Sequence, residues 1–111
     1  MKVGFIGLGN VGAKLAGTLI RNGIPTFLHD LEYSTAKKLI NMGGIWQINP
    51  TNLTTNCDVI ITCLPSPSAS AAVIEGKNGI LEAANKEKIW IERNLENFGL
   101  KDQIMYLLVC L

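Results

Sequence analysis

A glycine-rich hexapeptide near the amino terminus, Gly7-Leu8-Gly9-Asn10-Val11-Gly12, constrains the fold more than any other feature of the chain. A short apolar, β-prone run over residues 3–6 precedes it, and apolar residues recur at helical spacing from Val11 to Ile20. A second β-prone run ends at His29, and Asp30 follows it, about twenty residues beyond the glycines. This order of strand, glycine turn, helix, strand and acid is typical of a dinucleotide-binding βαβ unit.

Each of the three glycines has a physical role in this interpretation. Gly7 allows a sharp turn where the strand ends, Gly9 lets a pyrophosphate approach the backbone, and Gly12 allows close contact between helix and strand. The phosphates would accept hydrogen bonds from N–H groups at the positive end of the helix. The alternative is three turn glycines and a surface aspartate, which explains the hexapeptide but not the order of elements around it.

The acid at the end of the second strand predicts which dinucleotide binds. The Asp30 carboxylate would accept hydrogen bonds from the 2′- and 3′-hydroxyls of the adenosine ribose, and it would repel a 2′-phosphate. The next residues, Leu31 and Glu32, include no arginine that could bind such a phosphate. We therefore expect NAD to be favoured over NADP.

Strand-like and helix-like segments alternate along the rest of the chain. Strands are predicted at residues 45–48, 58–64 and 88–92, and helices after Asp30 with Ser34 as the cap, near residues 52–55 and over residues 68–75. The segment at 58–64 is almost continuously apolar, as interior strands of parallel sheets are. Alternation with short connections predicts an α/β, Rossmann-type doubly wound parallel sheet in one domain. Ligands of such sheets bind beyond the carboxyl ends of the strands.

Length, charge and cysteine pattern narrow the function classes. The chain has 111 residues and a net charge of +1, so we expect one domain and no nucleic-acid partner. Its three cysteines form no CxxC pair and it has one histidine, so no metal site is predicted. Reduced thiols favour a cytoplasmic or organelle-matrix setting, and Cys63 is expected in the core. We expect no membrane partner, because no apolar run approaches the roughly 20 residues that cross a bilayer.

Several segments together carry a family resemblance. They are Gly4–Gly12, Leu28–Asp30, Asp58–Pro65, Gly79–Leu81 and Ile89–Glu92. In this order, over about residues 2 to 92, the chain resembles the β-hydroxyacid dehydrogenases of the 3-hydroxyisobutyrate dehydrogenase-like type, which are related to the cofactor domain of 6-phosphogluconate dehydrogenase. The resemblance implies that the glycine motif and the acid bind the dinucleotide.

The resemblance also implies a role for Leu64 and Pro65, whose backbone would lie along the cofactor. An ordinary strand end closed by proline is the alternative interpretation of these two residues. The resemblance further implies a small 3-hydroxy acid as substrate of full-length relatives, and a helical domain and partner subunit against this domain. A homo-oligomer is therefore one expectation.

The chain departs from the family after residue 92. Members usually have Asp-x-Ser-Thr after the last matching strand, and here the sequence is Glu92-Arg93-Asn94-Leu95. The family's substrate loop and catalytic lysine lie further along the sequence, so we assign no catalytic residue. We expect an NAD(P)-binding domain over residues 1–92 and a divergent tail over residues 93–111. The apolar run at 104–111 would cover the sheet as a helix or an edge strand, or it would promote aggregation.

Three hypotheses for the function follow. The chain is the NAD-binding domain of a dehydrogenase that transfers hydride from a 3-hydroxy acid, a non-catalytic dinucleotide-binding module, or an inactive fragment. The lone histidine, His29, is interpreted as structural because it lies near the adenosine end of the expected site.

Overall fold

The computed structural model describes the backbone of residues 1–94 and 105–109, and the side chains of residues 1–93. The strands are β1 (Val3–Ile6), β2 (Thr26–His29), β3 (Ile45–Trp46), β4 (Val59–Leu64), β5 (Ile89–Asn94) and β6 (Met105–Val109). The helices are α1 (Asn10–Arg21), α2 (Tyr33–Asn41), α3 (Pro50–Asn56) and α4 (Pro67–Glu75), with a short 3₁₀ helix at Ile80–Glu82.

These strands form one sheet in the order β3-β2-β1-β4-β5-β6. The first five are parallel, and β6 pairs antiparallel with β5. The order changes direction between β1 and β4, where Val3 lies opposite both Thr26 of β2 and Val59 of β4. The predicted α/β doubly wound parallel sheet is therefore confirmed, and its switch point lies at the carboxyl end of β1.

The two faces of the sheet are covered by different helices. On one face Phe5 and Leu28 pack in a cluster with residues of α1 and α2. On the other face Ile6 and Ile60 pack with Leu53 of α3. Because side chains alternate between faces along a strand, burial on both faces requires nearly continuous apolar strands. This requirement explains why residues 58–64 could be assigned to an interior strand from the sequence.

The start of α2 differs from the prediction. The helix begins at Tyr33 with Glu32 in the capping position and no side-chain cap, so the prediction of Ser34 as the cap is wrong. The physical reason lies just before the helix, where Asp30 Oδ1 accepts a hydrogen bond from Glu32 N at 3.0 Å. This turn, closed by a side chain two residues back, directs the chain into the helix earlier.

Two other helices begin as local sequence chemistry dictates. Asn49 accepts a hydrogen bond from Asn52 N at 2.8 Å at the start of α3, and Ser66 accepts one from Ala69 N at 3.2 Å at the start of α4. In both helices proline follows the cap directly, at the position where its missing N–H costs nothing.

The carboxyl-terminal part of the sheet tests the prediction that residues 104–111 cover the sheet as a helix or an edge strand. Residues 105–109 form an edge strand, with Val109 opposite Ile89, which matches one of the two predicted structures. Leu95, Phe98, Leu100 and Cys110, which also belong to the predicted tail, lie outside the described residues. Of the described helices, none has both the length and the apolar character needed to cross a bilayer.

Candidate functional site

The loop after β1 requires two of its glycines for steric reasons. Gly7 has a φ of +98°, and a Cβ atom there would overlap the carbonyl oxygen of Cys63. A Cβ atom on Gly12 would overlap the carbonyl oxygen of Gly7 and lie 3.3 Å from the Cβ atom of Cys63 in β4. The sharp turn predicted for Gly7 and the close helix–strand contact predicted for Gly12 are therefore confirmed.

The amino terminus of α1 is open. Gly9 is the capping residue, no side chain caps the helix, and its first turn contains no acidic residue. The first intrahelical hydrogen bond runs from Ala13 N to Gly9 O at 2.8 Å, so the amides of Asn10, Val11 and Gly12 have no acceptor within the helix. A Cβ atom on Gly9 would meet nothing within 4 Å. Free N–H donors beside open space fit a phosphate group.

The Asp30 carboxylate is held directly against the glycine loop. Its Oδ2 accepts a hydrogen bond from Leu8 N at 2.7 Å, and its Oδ1 accepts the bond from Glu32 N. A carboxylate can accept about four hydrogen bonds, so both oxygens keep a lone pair for a ligand. The carboxylate is thus fixed in orientation before any ligand binds.

A cavity of ≈ 660 Å³ lies over the carboxyl ends of the strands. The predicted site residues that line it are Gly7, Leu8, Gly9, Asp30, Leu64 and Pro65. The other three predicted residues, Asn10, Val11 and Gly12, form the first turn of α1 next to Gly9 and do not line the cavity. Residues far apart in sequence therefore meet at one site, where the switch point of a doubly wound sheet places a ligand.

The cavity also includes residues that sequence reasoning did not select. They are His29, Leu31, Glu32, Thr35, Pro50, Ala69, Ala72, Val73, Lys77 and Gly79, in addition to residues of β1 and β4. The sequence contains a pattern that could have identified one wall of the cavity, because Ala69, Ala72 and Val73 are spaced as one face of a helix. The others lie at or near the ends of strands and helices, and only the strand order brings them together.

Two cysteines are buried, Cys63 in the wall of the cavity and Cys57 at the end of α3. Burial raises the pKa of Cys63, in the cavity wall, to about 11, although Arg93 opposes the shift. Burial raises the pKa of Cys57, at the end of α3, to about 12. Thiolates are the reactive form of cysteine, so both thiols are neutral and unreactive near pH 7. The expected core position of Cys63 is confirmed, since its side chain is buried.

The titratable groups of the cavity wall are few and mixed in charge. Besides Cys63 they are His29, Asp30, Glu32 and Lys77. Among the residues whose structure is described, no group of three or more histidine, cysteine or acidic side chains could hold a metal ion. The site thus offers backbone donors, two carboxylates, one ammonium group and apolar walls.

Comparison with known sequences agrees with this geometry. Residues 2–105 match the family model of the NAD binding domain of 6-phosphogluconate dehydrogenase. The chain is 39% identical over 90 residues to the mitochondrial 3-hydroxyisobutyrate dehydrogenase of Rattus norvegicus, covering 81% of this chain and 27% of that protein. It is 31% identical over 102 residues to the uncharacterized oxidoreductase YkwC of Bacillus subtilis, covering 92% of this chain and 35% of that protein. The chain thus spans about a third or less of the length of these relatives.

Solved structures share the fold. A structure of Psf3 in complex with NADP+ and 2-OPP superimposes with a TM-score of 0.79 at 26% identity, covering 83% of this chain and 33% of that one. A variant imine reductase from Myxococcus stipitatus in complex with NAD+ superimposes with a TM-score of 0.77, covering 84% of this chain and 31% of that one. At 15% identity the second likeness shows the fold alone. Both dinucleotides therefore occur among structural neighbours.

Proposed function

The chain belongs to the family of the NAD binding domain of 6-phosphogluconate dehydrogenase, and we propose that it binds NAD as the cofactor domain of a 3-hydroxyisobutyrate dehydrogenase-like oxidoreductase. One observation carries the proposal. The Asp30 carboxylate accepts the 2.7 Å hydrogen bond from Leu8 N within the glycine loop, so an acceptor that would suit ribose hydroxyls lies beside backbone N–H groups that would suit phosphates. This pairing supports a ligand that carries a diphosphate and an adjoining ribose.

In the proposed complex each part of the dinucleotide has a matching group. The diphosphate lies over Gly9 and accepts hydrogen bonds from the first amides of α1. The adenosine ribose donates both hydroxyls to Asp30. The backbone of Leu64 and Pro65, at the end of β4, runs along the cofactor toward its nicotinamide.

We propose NAD rather than NADP because of the charges near Asp30. Asp30 and Glu32 both line the cavity, and Leu31 between them is 96% exposed and carries no charge. A 2′-phosphate would face two carboxylates at this end of the cavity. Lys77 lines the cavity as well but follows α4, a separate element from the loop that carries the carboxylates.

We further propose that the isolated chain binds the cofactor without turnover. In full-length relatives the cofactor would accept hydride from a small 3-hydroxy acid while the protein supplies position and electrostatics. The cavity-lining thiol, Cys63, is neutral near pH 7, which supports a binding role for this domain more than a nucleophilic one. A non-catalytic dinucleotide-binding module would share these properties. The domain boundary after residue 92, the cytoplasmic or organelle-matrix location and the homo-oligomer stay predictions.

Calorimetry and thermal unfolding with NAD and NADP test the binding. NAD at a hundred times its dissociation constant should raise the free energy of unfolding by about 2.7 kcal/mol, and NADP at the same concentration should raise it less. Stabilisation by neither dinucleotide would contradict the proposed function, and equal stabilisation would contradict the role of Asp30. A hydride-transfer assay with 3-hydroxyisobutyrate then separates binding from turnover, and measurable NADH formation would contradict the inactive isolated chain.

A substitution beside the acid tests the choice of dinucleotide. Leu31→Arg places a cation next to the proposed ribose site and leaves the hydrogen bonds of Asp30 intact, so we expect NADP affinity to rise about tenfold. The matched control is Leu81→Arg, because Leu81 is also exposed, at 58%, but does not line the cavity. Equal effects of the two arginines on NADP binding would show that general charge, and not the ribose site, controls the preference.

A further inference from the structure

A second concave surface lies between α1 and α2, apart from the candidate site. This α1–α2 groove has a volume of ≈ 560 Å³ and is lined by residues of the two helices and by Met42, which follows α2. Its charged lining residues are Lys14, Arg21 and Lys38, and none of the described residues that line it is acidic. The groove shares Thr35 with the cavity of the candidate site, but none of its three cations lines that cavity. The proposed cofactor site therefore gives these cations no role.

The positive charge of the groove is part of a wider segregation of charge. The whole chain has 10 basic and 9 acidic residues, yet α1 and α2 together contain four lysines and arginines and no aspartate or glutamate. Within the described part of the chain, no carboxylate forms an ion pair with Lys14, Arg21 or Lys38. The charge of the groove is thus not neutralised by these parts of the protein.

Stabilisation of the helices explains only part of this arrangement. Arg21 and Lys38 lie in the last turns of α1 and α2, where a cation favours the negative end of a helix. Lys14 lies in the first half of α1, where the helix dipole does not favour a cation. The Arg21 guanidinium also lies away from the last carbonyls, because its Nη2 donates to Thr18 Oγ1, one turn toward the amino end, at 3.3 Å. The three cations therefore surround the groove and do not simply mark helix ends.

The floor of the groove between these cations is apolar. Gly17 is buried, and a Cβ atom there would lie 3.7 Å from Leu39 Cδ2, 3.9 Å from Met42 Cε and 3.3 Å from Arg21 Nη1. The Met42 side chain is 39% exposed, so part of this floor faces solvent. Because Gly17 has no side chain, the centre of the groove stays open. A ligand would thus meet apolar surface at the centre and positive charge around it.

This combination of charge and apolar surface selects among anionic ligands. A free phosphate would meet the cations but not the floor. A nucleic acid would need a longer basic surface and aromatic side chains for base stacking, and the described residues of the groove include no aromatic one. An acidic amphipathic helix matches both features, since its apolar face would cover Gly17 and Met42. Its carboxylates, at seven-residue spacing, would match Lys14 and Arg21, which are about 10 Å apart along α1.

We propose that the α1–α2 groove docks an acidic amphipathic helix of a partner protein. The apolar side chains of that helix pack over Gly17 and Met42, and its carboxylates pair with the three cations. Exposed charge pairs at an interface govern partner choice and association rate, so binding weakens as the salt concentration rises. This inference goes beyond the proposed function and does not depend on it, because the cations lie outside the cofactor cavity.

Selection from a random peptide library on the immobilised full chain tests the occupant without a prior choice of sequence. Peptides of about 14 residues are long enough to carry seven-residue charge spacing on a helix. We expect the enriched peptides to combine several aspartates or glutamates with leucine, methionine or aromatic residues at helical spacing. Enrichment of basic or purely polar peptides, or of no peptide family, would overturn the proposal.

Two adjacent lysines of α2 provide a matched pair of variants. Lys37 and Lys38 are both exposed, but of the two only Lys38 lines the groove. In fluorescence anisotropy the most enriched peptide should bind Lys38→Glu about tenfold more weakly than the parent, and Lys37→Glu within about threefold of it. The same peptide with lysine at its acidic positions should bind Lys38→Glu more tightly than the parent, a gain that a misfolded variant could not give. Equal effects of the two substitutions would overturn the proposal, because general charge would then explain the binding.

Other occupants and the proposed function are separated by further measurements on the same variants. Self-association of the parent that Lys38→Glu abolishes and Lys37→Glu retains would assign the groove to a second copy of the chain. Tighter binding of a single-stranded oligonucleotide or of phosphatidylserine vesicles than of the peptide, with the same dependence on Lys38, would assign it to another class of partner. Either result would overturn the proposal. Lys38→Glu should bind NAD like the parent, and absence of NAD binding by both would contradict the proposed function alone.

Discussion

The replacement of Asp30 by asparagine tests whether this side chain is fixed before the cofactor binds. Both carboxylate oxygens accept backbone hydrogen bonds, from Leu8 N at 2.7 Å and from Glu32 N at 3.0 Å. An asparagine has one acceptor oxygen, and its amide nitrogen would face the second N–H donor. We therefore expect this nearly isosteric change to destabilise the protein even without ligand.

The magnitude follows from the two bonds. A hydrogen bond to a charged group contributes about 1.5–3 kcal/mol and a neutral one about 0.5–1.5 kcal/mol, so the bond that remains, to the part-buried Leu8 N, weakens by about 1 kcal/mol. The bond to the exposed Glu32 N is lost and replaced by water, at a further cost of about 1 kcal/mol. The free energy of unfolding should fall by about 2 kcal/mol, which corresponds to a Tm lower by about 8 °C. NAD affinity should fall about thirtyfold as the ribose hydroxyls lose their charged acceptor.

Urea unfolding without ligand and calorimetry with NAD measure the two effects separately. Asp58→Asn is the matched control, because Asp58 Oδ2 accepts one exposed backbone hydrogen bond, from Lys2 N at 2.8 Å, at the opposite end of the sheet. The single asparagine oxygen can replace that acceptor, so the control should change stability by less than about 0.5 kcal/mol and leave NAD binding unchanged. If Asp30→Asn lost NAD affinity but unfolded like Asp58→Asn, the claim that the protein fixes this carboxylate in advance would be refuted.

Further predictions concern the glycine loop, the buried thiols and a helix cap. Gly12→Ala presses a methyl group against the carbonyl of Gly7, so urea unfolding should show that the free energy of unfolding falls by about 3 kcal/mol. The side chain of Gly9→Val enters open space, so this change should lower the free energy of unfolding by no more than about 1 kcal/mol. It should nevertheless abolish NAD binding in calorimetry. Burial raises the pKa of Cys57 from 9.0 to about 12 and that of Cys63 to about 11, so the stability that the two neutral thiols contribute is complete below pH 9 and is lost progressively as the pH rises above it. The free energy of unfolding should therefore fall as the pH rises from 9 to 11. An equal fall in a variant with alanine at both positions would contradict this prediction. Asn49→Ala removes the cap of α3 and should lower the free energy of unfolding by about 1 kcal/mol, as measured by thermal unfolding.

The features predicted well from the sequence are those that local sterics decide. A glycine with φ of +98° between a strand and a helix has few substitutes, so Gly7 identified the turn. The continuous apolar run at β4 identified an interior strand, because both faces of that strand are covered. Periodicity and spacing together were therefore sufficient to predict a doubly wound parallel sheet with the glycine turn at the carboxyl end of its first strand.

The features predicted poorly depend on contacts across the fold. The cap of α2 was placed at Ser34 because serine is a common cap, but the side chain of Asp30 closes a turn before the helix instead. The surroundings of His29 could not be inferred either, because the Gln47 carbonyl reaches its ring only through the pairing of β2 with β3. A β3 of two residues gives a weak sequence signal, and its register was not predictable.

The phosphate and ribose parts of the site are physically coupled, and the coupling follows from the backbone. Leu8 lies between Gly7, which makes the turn, and Gly9, which opens the helix, and its N–H donates to Asp30. A change in the turn therefore moves the donor that fixes the acid, and loss of the acid frees the loop that should hold the phosphates. Residues that share a hydrogen-bond network do not contribute additively. The losses in the free energy of unfolding for Gly12→Ala and Asp30→Asn should accordingly sum to more than the loss measured in the double variant, and strict additivity would mean that the two halves of the site act independently.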